Sequence, residues 1–283
     1  MARAPTDAEV AAYRRDGAVC LRGVLTVEEL GWAADGVEAV LAEPGPLAIQ
    51  AARPGDGSFV EDFRNWSRVP AIERLARHGP FGALAARLTG SAAVRLHHDH
   101  VLVKEAGTAQ RTPWHQDQPY YDIEGHRNVS FWIPVDPVPA ASTLEFLAGS
   151  HLGPWLMPRT FVDGQARWFP EGSLAELPDI EADRAAHRLL GWPLEPGDVV
   201  CFHMLTVHGA GGFRGPGRRR VLSLRYTGDD AVRRSRPWRT SPPFPELDGE
   251  LADGAPLDHP LFPVVWPVPA TDVGRTAGEP SRA

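Results

Sequence analysis

The sequence predicts a mainly β protein with flanking helices, built on a jelly-roll or barrel-like core. From Ala92 onward, short runs of β-branched and aromatic residues alternate with Gly, Pro and Asp turn signals at the spacing of an all-β core. The 28 Gly and 28 Pro among 283 residues call for many turns and short elements, against a helical bundle. That length suits one domain with an elaborated shell and a large core. The expected layout is a mainly helical supporting layer over 1–90, a jelly-roll core over 91–230 with an irregular insertion at 152–190, and a Pro-rich wrap over 231–283.

Before the β region, Thr6 or Asp7 caps a short helix that Gly17 stops, and Ala18 to Arg22 reads as a strand. Thr26-Val27-Glu28-Glu29 has capping-box spacing, and Leu30, Ala33, Ala34, Val37, Val40 and Leu41 follow at helical intervals. Residues 44–60, rich in Gly, Pro and Asp, read as a long loop. Pro70 and Pro80 each open a further helix. Val94 to Lys104 then reads as a strand with His98, His100, Leu102 and Lys104 on one face. Val129 to Val135, Val199 to His203, Thr206 to Ala210 and Arg219 to Tyr226 follow as strands. The last of these puts Arg219, Val221, Ser223 and Arg225 on one face, with Arg220, Leu222 and Leu224 on the other.

A net charge of −7 gives no basic character for nucleic acid. Two cysteines, Cys20 and Cys201, lack metal-binding spacing and fit a thiol-bearing protein better than a disulfide framework. With no apolar signal segment and no apolar run long enough to span a bilayer, a cytoplasmic protein with no membrane partner is expected.

The chemistry centres on His115-Gln116-Asp117. In an extended strand residues i and i+2 share a face, so the imidazole and carboxylate converge while Gln116 points away. Completed by a distant histidine, such a pair builds an open non-heme Fe(II) site. His203 and His208 are the two candidates for that histidine. The small residues Gly209-Ala210-Gly211-Gly212 would allow close approach to a ligand beside His208. A bidentate 2-oxo acid needs a fixed cation for its far carboxylate, and the planar fork of arginine supplies one. Arg218, Arg219 and Arg220 are the candidates. Trp114, Tyr120, Tyr121 and Trp155 are candidates to line a substrate pocket. The run Arg233 to Arg239 reads as a solvated basic loop.

Together, His115-Gln116-Asp117, Ala148-Gly149-Ser150-His151, Gly197-Asp198, Phe202-His203, His208-Gly209 and Arg219 to Ser223 resemble the phytanoyl-CoA dioxygenase family of Fe(II)/2-oxoglutarate-dependent oxygenases, over roughly residues 90 to 230. The resemblance implies a double-stranded β-helix, cupin-like core. It implies His115, Asp117 and His208 as catalytic iron ligands, with 2-oxoglutarate and O2 as cosubstrates and a small molecule as substrate. It favours Arg219 as the 2-oxoglutarate anchor, because the family's arginine precedes a serine by four residues, as Arg219 precedes Ser223. Trp132 falls where the family has a cosubstrate-lining tryptophan, and His98, His100 and Lys104 lie on the strand bordering the cosubstrate. Ala210 departs from relatives that carry a serine there. Asp117 argues against halogenation, since related halogenases have a small residue in its place. The expected reaction is hydroxylation of an unactivated C–H bond of a secondary-metabolite or acyl substrate, with release of succinate and CO2. Two other classes fit parts of the pattern: a metal-dependent hydrolase or isomerase on a cupin-like core, and a non-catalytic binding protein on the same fold.

Overall fold

Two antiparallel sheets face each other, with helices packed on the outside of the larger one. The structure is a computed structural model, and it describes residues 3–157, 174–213, 215 and 217–268; much of the expected insertion, 158–173, lies outside the described residues.

Local sequence explains the helices. In α1 (Asp7–Asp16) the Thr6 hydroxyl accepts the Glu9 N–H at 3.2 Å, and the Glu9 carboxylate accepts the Thr6 N–H at 2.7 Å. This capping box satisfies two donors that a helix start leaves without partners. Gly17 ends α1 at φ +80°, and a Cβ there would lie 2.4 Å from His151 Nδ1 and from Thr206 Oγ1. Thr26 and Glu29 repeat the box at α2 (Val27–Ala42). Pro70 stands in the first turn of α3 (Pro70–His78), and α4 (Phe81–Thr89) follows directly.

The strands are β1 (Ala18–Leu21), β2 (Ile49–Gln50), β3 (Phe59–Phe63), β4 (Val94–Glu105), β5 (Thr112–His115), β6 (Ile123–Glu124), β7 (Asn128–Pro134), β8 (Leu144–Leu147), β9 (Leu189–Gly191), β10 (Val199–Phe202), β11 (His208–Ala210), β12 (Arg218–Thr227), β13 (Val232–Arg233) and β14 (Val264–Trp266). The large sheet runs β1-β10-β7-β12-β4-β3-β2, with β14 beside β4. The small sheet runs β5-β11-β8-β9, and β6 pairs with β13. The architecture is the expected jelly roll, mainly β with few helices.

Alternation along β12 decides what each face meets. Leu222, Leu224 and Tyr226 join Val37, Ile72, Leu75, Phe81 and Leu88 in the core between sheet and helices. Val221 instead joins Trp132, Leu144, Phe146, Val200 and Phe202, drawn from both sheets, in the sandwich interior. Truncating one such residue, as in Leu222→Ala, costs about 2–5 kcal/mol.

Two stretches depart from expectation. The loop over 44–60 carries β2 and leads into β3, because Phe59-Val60-Glu61-Asp62-Phe63 can pair along the edge of β4. The C-terminal stretch is more than a wrap. Phe244, Leu247, Leu257 and Phe262 close a small core with Tyr121, Ile123 and Met204, and β14 extends the large sheet. No helix among the described residues is long and apolar enough to cross a membrane.

Candidate active site

His115 ends β5 and lies opposite His208, the first residue of β11, with ring centroids 4.3 Å apart. The later histidine strand therefore packs back beside the first, and His208 is the histidine that arrives. His203 points elsewhere. Its Nε2 bonds the His126 carbonyl at 2.8 Å and its Nδ1 accepts the Leu205 N–H, a structural role.

Asp117 reaches the site by a different route from the one expected. The strand stops at His115, and Asp117 has helical angles (φ −74°, ψ −46°) at the start of a 3-10 turn over Gln118–Tyr120. The turn is fixed by its backbone. Asp117 N–H and Gln118 N–H both donate to the Met204 carbonyl, at 2.8 and 3.0 Å. Gln116 points away, donating to the Leu205 carbonyl at 2.8 Å and accepting the Leu156 N–H at 2.7 Å.

One donor atom from each of His115, Asp117 and His208 lies within 4.8 Å of the others, and all three residues are buried. Asp117 Oδ1 is 3.4 Å from His115 Nε2 and 3.6 Å from His208 Nε2. His115 Nδ1 sits 2.8 Å from the Pro113 carbonyl and His208 Nδ1 2.9 Å from the Thr206 carbonyl. A carbonyl only accepts, so both Nδ1 atoms carry a proton and both Nε2 atoms turn toward Asp117. Burial, then the neighbouring His115, push the His208 imidazole down to about 3. Burial alone would raise the Asp117 carboxyl; the Arg225 charge and the two imidazoles outweigh it and hold it well below the usual carboxylate range. Two imidazole nitrogens and one carboxylate on one side of a point fit a divalent metal with open positions.

The neighbourhood of Arg219 is cationic. Its guanidinium is 2% exposed, donates to the Ser142 carbonyl at 2.6 Å, lies over the Trp132 ring at 5.5 Å and leaves Nε without a partner. Lys104 is its cross-strand partner, fully buried, donating to the Gln110 and Gly211 carbonyls at 2.7 and 3.3 Å. Neither has a carboxylate within ion-pair reach among the described residues. Burial, then the Arg219 charge, push the Lys104 ammonium down to about 7; burial pushes Arg219 down to about 10. Arg218 and Arg220 turn outward to Glu38, and Arg220 also to Asp136. Of the three adjacent arginines, only Arg219 faces the interior.

The other expected residues divide. Trp132 backs Arg219. His100 stacks on Phe63 at 4.0 Å, 3.2 Å from Glu61 Oε1. His98 lies apart from the Arg219 pair, bonded to His97 at 2.8 Å and edge-on to Tyr121. Tyr120 meets the His115 ring edge-on at 6.0 Å. Tyr121 accepts a 2.6 Å hydrogen bond from Arg225. Trp155 lies under the Arg236 guanidinium at 4.7 Å, beside the segment that Gln116 holds. Trp114 alternates away from His115 and donates to Glu181 at 2.8 Å, packed with Ile180 and Val207 on the far side of the strand. Of the basic run, Arg233 and Arg236 are pins rather than solvated charges, bonded to the Leu247 and Tyr121 carbonyls. The small residues after His208 serve close strand packing: a Cβ on Gly209 would lie 3.1 Å from the Thr112 carbonyl.

Two residues were not singled out from the sequence. Arg225 bonds Asp117 Oδ2 at 3.2 Å, although strand alternation already put it on the inward face with Arg219. Glu61 sat at the edge of an expected loop, and nothing in the sequence signalled it.

The phytanoyl-CoA dioxygenase family model matches residues 13–221. The chain belongs to the phytanoyl-CoA dioxygenase family. A probable phytanoyl-CoA dioxygenase of Caenorhabditis elegans is 30% identical over 128 residues, covering 44% of this chain and 38% of that protein, so the match spans well under half of that relative. The ectoine dioxygenase of Sphingopyxis alaskensis is 24% identical over 281 residues, covering 93% of this chain and 88% of that one. Among solved structures, the α-ketoglutarate-dependent carbocyclase SnoK superposes with a TM-score of 0.73 at 24% identity, covering 92% and 96% of the two chains. The epimerase SnoN, solved with Fe3+, α-ketoglutarate and nogalamycin RO, gives 0.71 at 25% identity over 92% and 98%. Family membership places the protein among the 2-oxoglutarate-dependent dioxygenases, whose cofactors are Fe(II), 2-oxoglutarate and O2.

Proposed function

We propose that this protein hydroxylates an unactivated C–H bond of a small molecule, with His115, Asp117 and His208 as the iron ligands and Arg219 as the anchor for 2-oxoglutarate. When bound, iron and 2-oxoglutarate supply the oxidising power for C–H cleavage, with succinate and CO2 released. One observation carries the reading. A buried cluster of two imidazoles and a carboxylate shares an interior with the buried Arg219–Lys104 pair, which has no carboxylate within ion-pair reach among the described residues. Burying two adjacent cations is costly unless an anion joins them. A metal hydrolase on the same core has no use for such a clamp, and a binding protein has no use for the open metal face.

The protein's part is positioning. The Pro113 and Thr206 carbonyls orient the two imidazoles, Arg225 holds Asp117, and Trp132 walls the anion site. With a metal bound, Asp117 would fill the place a halide would need, which favours hydroxylation over halogenation. The carbocyclase and epimerase among the structural neighbours mark how far the outcome follows substrate placement.

Anaerobic Fe(II) plus 2-oxoglutarate should produce the metal-to-ligand charge-transfer absorption of a chelated 2-oxo acid. The Asp117→Ala and His115→Ala proteins should lose it. Folded, iron-reconstituted wild type without the band would refute the proposal.

A further inference from the structure

We infer that Glu61, backed by His100, is a second polar anchor in the site, taking a hydrogen-bond donor of the substrate: an ammonium or a hydroxyl group. The inference rests on the function proposed above and names a chemical class for its substrate.

Register puts Glu61 inside. Along β3, Phe59 pairs with Lys104, Glu61 with Leu102 and Phe63 with His100. Cross-strand partners share a face, so Phe59, Glu61 and Phe63 line the same side as His100 and Lys104. Asp62 faces the other way, where it accepts the Gly45 N–H at 2.6 Å.

Glu61 is 2% exposed, and its contacts do not satisfy it. Oε1 is 3.2 Å from His100 Nε2, off the line of a good hydrogen bond, and Oε2 has no partner. Among the described residues no Arg or Lys nitrogen lies within ion-pair distance of it. Burial lowers the His100 pKa, and Glu61 itself opposes that shift. A buried carboxylate in this condition is costly unless a donor reaches it.

Glu61 lies near the metal ligands. His100 Nδ1 is 3.4 Å from Arg225 Nη2, which is itself 3.2 Å from Asp117 Oδ2. Leu102 and Phe63 flank Glu61 on this face and stay half-buried, although β4 and β3 lie within the large sheet. The other inward charges are spoken for: Arg225 by Asp117, and Lys104 with Arg219 by the anion they await. Among the described residues Glu61 is left as an inward carboxylate with no cation within ion-pair distance, flanked by apolar side chains, and Lys104 feels its charge only from farther off. An apolar ring carrying an amine or a hydroxyl matches it.

The test uses anaerobic holoenzyme with Fe(II) and 2-oxoglutarate, reading the charge-transfer band as four probes are titrated: cyclohexylamine, cyclohexanol, methoxycyclohexane and cyclohexanecarboxylate. The two donor probes should shift the band saturably, and the two without an ammonium or hydroxyl should not. Glu61→Ala should weaken both donors by about tenfold or more, as loss of a buried charge-assisted hydrogen bond does. Glu61→Gln keeps an acceptor without the charge, so it should weaken the amine by about tenfold and the alcohol by less than about threefold. The tighter probe in wild type tells ammonium from hydroxyl. Leu102→Phe, which adds bulk beside Glu61 and leaves its carboxylate intact, should abolish the shift. The unshifted band should stay at its wild-type position at saturating 2-oxoglutarate in all three variants, which also reports folding. Equal shifts from donor and non-donor probes, no shift from any probe, or unchanged donor affinity in Glu61→Ala would overturn the inference. A wild type that forms no charge-transfer band overturns the oxygenase reading itself; a normal band that no donor shifts overturns this inference alone.

Discussion

Replacing Arg225 with Met removes the one Arg or Lys that touches Asp117 among the described residues. Both side chains of that pair are 6–7% exposed, and Nη2 is 3.2 Å from Oδ2. Removing one partner of a buried pair costs about 3–5 kcal/mol, because the other charge stays behind uncompensated. For a chain of this size that is a fall of roughly 6–20 °C in the melting temperature of the metal-free protein. Two effects then oppose each other when a divalent metal is added. Loss of the hydrogen bond frees Asp117 to move, which weakens binding, but Arg225 also repels the metal and competes for the same carboxylate. At these distances the charge effect is the larger, so metal should restore more degrees of melting temperature to Arg225→Met than to wild type. The acid limb of the stability profile should shift as well. In wild type the Asp117 pKa is held below its unfolded value, so its stabilisation is present above the unfolded pKa and is lost only as pH falls through the depressed one. Without Arg225 that pKa is held down less, so the loss begins at a higher pH. Thermal melts of apo and Co(II)-loaded proteins between about pH 3 and 8 measure all of this. An apo melting temperature within about 2 °C of wild type, or a metal-induced gain no larger than wild type, refutes the reasoning.

Two further outcomes follow from the anion site. Arg219→Met should raise the 2-oxoglutarate needed for half-saturation of the charge-transfer band by about 10- to 100-fold, the worth of a charge-assisted bond; Arg218→Met should leave it within about threefold, and equal effects would shift the anchor to a neighbour. With Lys104 pushed down to about 7 in the free protein, binding a dianion must take up a proton above that pH. Affinity for 2-oxoglutarate should therefore fall by up to about tenfold per pH unit above 7, and the slope should vanish in Lys104→Met; a parallel slope in both proteins would place the titration elsewhere.

The jelly-roll class, the helices with the Thr26 capping box and the pairing of His115 with Asp117 were legible in the sequence through short-range spacing, whereas His208 was singled out from His203 only by the family resemblance. The means by which Asp117 converges was not legible. A strand was expected, yet a turn tied to the Met204 carbonyl delivers the carboxylate, and that tie joins residues 87 apart in sequence. Among Arg218, Arg219 and Arg220 the chain alone offers no inside or outside; Glu38 and Asp136 decide it by drawing two of the three outward. Glu61 was invisible for the same reason: whether an acidic residue in a short strand faces solvent or interior is fixed by its register against β4. Trp114 misled because alternation was applied to His115, Gln116 and Asp117 and not to the tryptophan just before them.

The strand β12 explains why the metal and anion sites keep a fixed relation. Arg219 and Arg225 sit on its inward face six residues apart, about 20 Å along an extended strand, with Val221 and Ser223 between them. One end addresses the cosubstrate anchor and the other the metal carboxylate, so the spacing of the two is carried by a single rigid element. A one-residue slip of β12 would turn both arginines into the hydrophobic core and bring Leu222 and Leu224 into the site. Pairing on both sides, with β4 and with β7, makes that slip costly over the whole length of the strand. The shift in register between Arg225 and Tyr226 comes only after Arg225 has met Asp117, where the strand can change course without moving either arginine.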